Sequence, residues 1–239
     1  MRVNWGYIKV VVLMLLVGSL YAFSSHRNLT RKIATPQVEF SGSDNLFLTQ
    51  ENVSKLLIQN QAGSSNAHKE MIDLNQLETA LNSNPLIKTA QVFKSVDGVL
   101  TAKIEQKRPI ARVHTNASYY VDDEGSYMPL SDNYSARVPL VTGKVRKNSL
   151  EAIQKMATAI DEDEFLKQHV TEIIQNEKDD ISLKMRTYDF VVDLGSLNML
   201  QKKINNFKAF YKKALKDKTL DNYTRVNLKF ETQVICTKK

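Results

Sequence analysis

Apolar positions follow different rhythms in different parts of this 239-residue chain. Trp5 to Phe23 (WGYIKVVVLMLLVGSLYAF) has no polar face at all, and Lys9 is its one charge. As a helix it would extend about 28 Å, close to the thickness of a bilayer core, whereas a soluble helix would keep a polar stripe. Trp5, Tyr7 and Tyr21 sit near the ends, where aromatic rings favour the membrane interface, Phe23 closes the run, and Lys9 can snorkel to the headgroups. Two readings fit. The run is an uncleaved signal-anchor behind a short cytoplasmic tail, residues 1–4, or a secretory signal peptide with an apolar region from Val10 to Ala22. No A-x-A cleavage site follows, which favours the anchor. Arg27, Arg31 and Lys32 beyond the span lean toward a cytoplasmic body, while the short leading tail leans toward export.

Past a polar, basic linker over 24–35, the rhythm turns to period two and then to 3.6. Val38 and Phe40 alternate with polar neighbours and predict a strand after Pro36. Gly42 to Asn45 predict a turn, and Thr49 an N-cap for a helix to Gln59 with Val53, Leu56 and Leu57 inward. Asn60 to Lys69 has no core residue and predicts a loop. Asp73 caps a second helix carrying Leu74, Leu77 and Leu81, which Asn84-Pro85 stops. Two strands follow, Leu86–Ser95 and Val99–Gln106, joined by a turn at Val96-Asp97-Gly98. The order strand, helix, helix, strand, strand over 36–107 forms a module whose sheet buries one face under two helices.

Residues 108–239 read as a second, mixed β-domain with flanking helices, so the class is α+β. Arg108-Pro109 removes a ladder donor and forces extended backbone, which suits a domain junction. Asp123-Glu124-Gly125 predicts a tight turn between Tyr119-Tyr120-Val121 and Tyr127-Met128. Pro139 predicts an edge segment and Gly143 a bend. Ser149 predicts the cap of a helix with Leu150, Ile153, Met156, Ala157 and Ile160 on one face, and Phe165 to Ile174 a helical stretch passing into a strand. Ile181 to Met185 and Phe190 to Leu194 alternate as a strand pair ending at Gly195-Ser196. A long helix follows, striped by Leu197, Leu200, Ile204, Phe207, Tyr211 and Ala214. Its lysine-rich face (Lys202, Lys203, Lys208, Lys212, Lys213, Lys216) reads as solvated. Last, TRVNLKFETQVIC alternates Val226, Leu228 and Phe230 with Asn227, Lys229 and Glu231, and predicts one half-buried strand.

Charge and candidate chemistry change this picture little. The formal net charge of +7 would suit nucleic acid or an anionic membrane surface, but no helix-turn-helix, zinc finger or aromatic-studded RNA-binding strand accompanies it, so no nucleic-acid partner is expected. The single cysteine, Cys236, excludes an internal disulfide framework and a cysteine metal cluster. His26, His68, His114 and His169 have no metal-ligand spacing, and no P-loop, G-x-S-x-G or G-x-G-x-x-G is present. No catalytic residue, metal, cofactor or small-molecule substrate is therefore expected. Asp161 to Glu164 read as a solvated turn, and Asp122 to Glu124 as turn chemistry.

Several motifs carry a family resemblance. G-S-D-N-L-F after the first strand, N-P-L-I-K-T-A-Q-V-F before the hairpin and the exit I-E-Q-K-R-P-I-A together resemble a POTRA domain. Glu105-Gln106-Lys107-Arg108-Pro109-Ile110-Ala111 is similar to the E-x-x-P-x-A junction of the FtsQ/DivIB cell-division family. Tyr120-Val121-Asp122-Asp123-Glu124-Gly125 resembles its V-D-x-x-G hairpin, and Val138-Pro139-Leu140-Val141-Thr142-Gly143 its L-P-x-x-x-G segment. The final strand resembles its V-D-L-R-Y-x-x-G-x-A-V ending, with Asn227 and Lys229 where Asp and Arg are typical and without the glycine.

The resemblance implies a non-enzymatic divisome scaffold in septation, with its N-terminus cytoplasmic and its body periplasmic at the inner membrane. It implies FtsB- and FtsL-like bitopic division proteins as partners, and through them the septal peptidoglycan synthase, beside other divisome membrane proteins. Strand addition at the last strand is the expected contact, held by Tyr223, Arg225, Val226, Asn227, Leu228, Lys229, Phe230, Glu231, Val234 and Ile235. Val226, Leu228 and Phe230 equally fit the core of the β-domain. Two other classes compete. POTRA modules also act as chaperone-like binding modules in outer-membrane assembly and secretion, but after Pro109 too few residues remain for a large barrel. A secreted enzyme cleaved after about Ser24 is the third.

Overall fold

The structure, a computed structural model, describes residues 5–29, 36–42, 45–63, 73–95, 99–145, 150–176, 179–230 and 232–239. The chain divides into two compact units. One holds Met1–Glu39, Gln50–Leu81 and Gln91–Lys103, and the other Phe40–Thr49, Asn82–Ala90 and Ile104–Lys239.

In the first unit, α1 (Trp5–Leu29) leaves its apolar side chains from Trp5 to Phe23 exposed. Trp5–Ser25 has a mean hydropathy of 1.9, and among the described residues α1 is the one helix long and apolar enough to cross a membrane. The polar stretch from Ser24 begins helical, because no glycine or proline interrupts it before Pro36. Next along the chain, with residues counted to both units, come β1 (Gln37–Ser41), α2 (Gln50–Gly63), α3 (Leu74–Asn82), β2 (Ile87–Lys94) and β3 (Leu100–Gln106), with strand order β1-β3-β2. This is the expected strand, helix, helix, strand, strand. Val53 and Leu57 of α2 and Leu77 and Leu81 of α3 are buried. Asp73 caps α3 as expected, its Oδ1 accepting the Gln76 N–H at 3.1 Å. Helix α2 runs on through Asn60, past the predicted end at Gln59, since Asn60-Gln61-Ala62 contains no breaker. The rest of the predicted loop and the turn at Val96 to Gly98 lie outside the described residues.

The second unit is built on a nine-stranded mixed sheet. Its strands are β4 (Pro109–His114), β5 (Ser118–Asp122), β6 (Tyr127–Met128), β7 (Leu140–Gly143), β8 (Val170–Gln175), β9 (Ile181–Met185), β10 (Val191–Gly195), β11 (Tyr223–Asn227) and β12 (Ile235–Lys238). They lie in the order β12-β11-β10-β9-β8-β7-β4-β5-β6. The pairs β4–β7, β7–β8 and β10–β11 are parallel. A parallel pair needs a long return, and helices supply it: α4 (Glu151–Glu162) and α5 (Glu164–His169) between β7 and β8, and α6 (Leu200–Lys216) between β10 and β11. The predicted stripes of α4 and α6 enter one core with Val113, Val141, Ile173, Leu183 and Val192. A smaller cluster joins Phe47, Tyr120 and Met128, and the buried Gln106 side chain accepts the N–H groups of Phe47 and Leu48 at 2.9 and 3.0 Å.

Several expectations are corrected. Strand β7 is interior, between β4 and β8, so Pro139 does not mark an edge. The proline stands just before the strand and uses only its carbonyl, which accepts the Arg112 N–H at 2.9 Å. Gly143 does more than bend the chain. Its φ is +94°, and a Cβ there would lie 2.2 Å from the Gln175 carbonyl oxygen. Ser149 lies outside the described residues, and Leu150 occupies the N-cap of α4 without a side-chain cap bond. The acidic run is not a solvated turn. Asp161 pairs with Arg108 and Lys167, while Asp163 caps α5 by accepting the Leu166 N–H at 3.1 Å and pairs with Lys208. Lys203 is buried rather than solvated, its ammonium donating to the Leu194 and Ser196 carbonyls at 2.8 and 2.7 Å. The last segment is two strands, not one.

Two outcomes follow from these contacts. Gly143→Ala meets both a left-handed backbone and a backbone oxygen, so urea denaturation of the full chain should show a loss of at least about 2 kcal/mol. Burial opposes charge on Asp163, but the Lys208 pair and the backbone amides outweigh it and hold its carboxyl below the usual range. A depressed folded value means the pair's contribution is fully present above the unfolded value of about 4 and is lost as pH falls through the folded one. Stability measured against pH should therefore drop below about pH 4, and Lys208→Met should flatten that drop.

Candidate functional site

The expected binding segment folds as a hairpin at one end of the nine-stranded sheet. Strand β11 pairs parallel with β10, placing Arg225 beside Val191 and Asn227 beside Asp193. Alternation alone would carry the strand past Asn227, but two bonds stop it. The Asn227 Oδ1 accepts the Lys229 N–H at 2.9 Å, and the Leu228 N–H donates to the Asp193 carbonyl at 2.8 Å. Strand β12 then returns antiparallel, with Asn227 opposite Ile235 and Val226 opposite Cys236. The Tyr223 to Lys238 end of the pair contains a register shift.

Strand β12 has a neighbour on one side only. Among the described residues no strand takes up the backbone donors and acceptors of its outer edge, the geometry into which another strand adds. The predicted residues divide around that edge. Val226 and Leu228 are buried and belong to the core. Tyr223 and Val234 are half-buried against it, with the Tyr223 ring 5.5 Å from Phe210. Asn227 is half-buried at the turn. Phe230 is 48% exposed and Ile235 42%, unusual for large apolar side chains; Phe230 precedes β12 and Ile235 opens it. Glu231 lies outside the described residues.

Two cations of the hairpin are tied down from behind. Arg225 donates through Nη1 to the Asp193 Oδ2 at 2.9 Å. Asp193, near the middle of β10, also accepts the Ser182 hydroxyl at 2.8 Å, and Ser182 accepts the Asn176 amide at 2.9 Å. The Lys229 stem lies across Gly195, where a Cβ would come within 3.0 Å of its Cγ, and its ammonium reaches Asp180 at 3.3 Å. Asp180, Asp193 and the β12 residues Cys236, Thr237 and Lys238 were not legible as parts of the site. Asp193 reads as a polar position of an alternating strand, and the missing glycine hid the turn that makes β12 a strand of its own. Burial pushes the Cys236 thiol up.

The predicted junction residues open β4. Pro109 pairs with Asp122 across β5, and Arg108 reaches Asp161 and, at 3.8 Å, Asp123. Asp122 organises the turn behind them. Its Oδ1 accepts the Glu124 and Ser126 N–H groups at 3.1 and 2.6 Å, and its Oδ2 takes the Lys107 ammonium at 2.7 Å. The anchor residues Trp5, Lys9, Tyr21 and Phe23 all lie exposed on α1. His114 bonds Ser118 at 2.9 Å and His169 stacks on Phe165 with centroids 4.4 Å apart, so each has a local partner. Among the described residues no group of three His, Cys, Asp or Glu side chains could hold a metal ion.

Comparison with known families gives two matches. Residues 108–237, more than half of the chain, match the model described as FtsQ/DivIB, C-terminal related. Residues 37–105 match a POTRA-like domain. No curated protein matches.

Asp193→Asn keeps the shape of the side chain but removes the charge that Arg225 meets. Loss of this largely buried, charge-assisted bond should lower stability by about 1–3 kcal/mol, read by chemical denaturation. Arg225→Gln should cost less, because its guanidinium is 60% exposed.

Proposed function

The chain belongs to the FtsQ/DivIB family, and from that premise we propose that it is a membrane-anchored, non-enzymatic scaffold of the divisome, whose body lies outside the cytoplasm. The matched domains are those of a cell-division protein, of a family not known as enzymatic, and the apolar helix α1 fits a single-pass membrane protein. In this reading the body binds FtsB- and FtsL-like bitopic proteins and through them reaches septal peptidoglycan synthesis.

The observation that carries the reading is the outer edge of β12, unpaired among the described residues, which exposed Phe230 precedes and exposed Ile235 opens. A partner segment adds there as a further strand. Main-chain bonds supply affinity, and the exposed side chains supply register and specificity. Val226 and Leu228 then act from within, holding β11 flat behind the edge. Helix α1 restricts the body to the membrane plane, so that a weak contact meets a raised effective concentration of other anchored chains. The match over residues 108–237 favours this reading over a chaperone-like module of outer-membrane assembly.

Two measurements test it. FtsB- and FtsL-like chains should co-purify with the full chain from detergent, and Phe230→Ala and Ile235→Asp should each reduce recovery at least about tenfold, a change of roughly 1.4 kcal/mol. Undiminished binding by both variants sinks the site. In intact spheroplasts a membrane-impermeant maleimide should label Cys236, slowly at pH 7, where burial keeps the thiol protonated, and faster at pH 9, where the reactive thiolate forms. Labelling only after lysis would place the body in the cytoplasm.

A further inference from the structure

Within the second unit a trough of about 340 Å³ opens between β4, α4, α5 and β8, lined by no residue of the hairpin. Its floor is apolar: Ile110, Ala157, Ile160 and Val170 are all buried. Its rim is cationic. Arg137 enters from the stretch before β7, Lys167 from α5 and Arg186 from the end of β9. The carboxylate in the lining, Asp161, is already taken by Lys167 at 2.9 Å and by Arg108. Arg186 is fixed at its base, its backbone N–H donating to the His169 carbonyl at 2.7 Å and its Nε to the Gln168 carbonyl at 3.0 Å. Among the described residues neither Arg137 nor Arg186 has a carboxylate within ion-pair distance.

Two unneutralised guanidinium groups beside a dry apolar floor select a carboxylate carried on an apolar body. The size and openness of the trough narrow the choice further. Small-molecule sites run from about 300 to 1,000 Å³ and enclose most of the ligand. This trough is at the low end of that range and open to solvent, so it takes one side chain and leaves the bearer outside. We infer that it docks an acidic peptide segment of a partner protein, with one aliphatic side chain on the Ile110–Ile160 floor and flanking carboxylates on Arg137 and Arg186. This surface is independent of strand addition at β12, and its test does not depend on that reading.

The probe is a fluorescein-labelled peptide, Asp-Glu-Leu-Glu-Asp with both ends blocked, titrated by anisotropy onto the full chain in neutral phosphatidylcholine nanodiscs. Saturable binding is expected, weakened at least tenfold for Asn-Gln-Leu-Gln-Asn and at least fivefold when the leucine is replaced by serine. R137E/R186E should abolish it. Arg137→Gln alone, at an exposed residue, should weaken it at least threefold and guards against a folding defect in the double variant. K212E/K213E, which reverses two exposed charges on α6, should leave it within twofold. Three results would overturn the proposal: no binding at millimolar concentration, equal loss in K212E/K213E, or equally tight competition by N-acetylleucine. The second would reveal diffuse attraction to a basic protein, and the third a small-acid site.

Discussion

Asp193 is a carboxylate with a tenth of its side chain exposed, and it joins three strands of the larger sheet. From β10 it takes the Ser182 hydroxyl of β9 and the Arg225 guanidinium of β11, while its own carbonyl receives the Leu228 N–H where β11 ends. An unpaired buried carboxylate is costly, so each of these donors is held in place by the penalty of losing it. The parallel pairing of β10 with β11 has no hairpin to set its register. The donors around Asp193 supply that register instead. The position of the turn, and hence of β12 at the sheet's end, depends on them.

Much of this architecture was legible in the chain because its signals are local. The apolar run of α1, the Asp73 cap, the alternation of β2, β3 and β9, and the stripes of α4 and α6 each express one element's own period. What escaped depends on partners distant in sequence. Lys203 reads as one lysine among six on a solvated face, yet it is buried where two carbonyls near the end of β10 need a donor. Asp161 and Asp163 read as a solvated turn until Arg108 and Lys208 approach them. Pro139 suggested an edge because a proline cannot donate to a ladder, but it falls one residue outside the strand. Leu228 and Phe230 look equivalent two residues apart, and only the Asn227 turn sends one inward and the other out.

Ion pairs around Arg108 give that stretch a second character. Arg108, Lys107 and Lys88 meet Asp122, Asp123, Glu124 and Asp161 within one compact unit. Exposed pairs of this kind contribute little singly. Asp122 is different, because its buried side chain satisfies two turn amides and an ammonium together. The turn that looks like simple Asp-Gly chemistry in sequence is therefore a cross-brace between the start of β4 and the end of β5.

The sheet's two ends are unequal. Strand β6 has two residues and β12 has four, with seven strands between them. Two residues offer a further strand fewer backbone groups than the four of β12, which exposed Phe230 precedes and exposed Ile235 opens. Under the proposed strand addition, one body takes one added strand at β12, and the two residues of β6 keep bodies from joining edge to edge into a longer array.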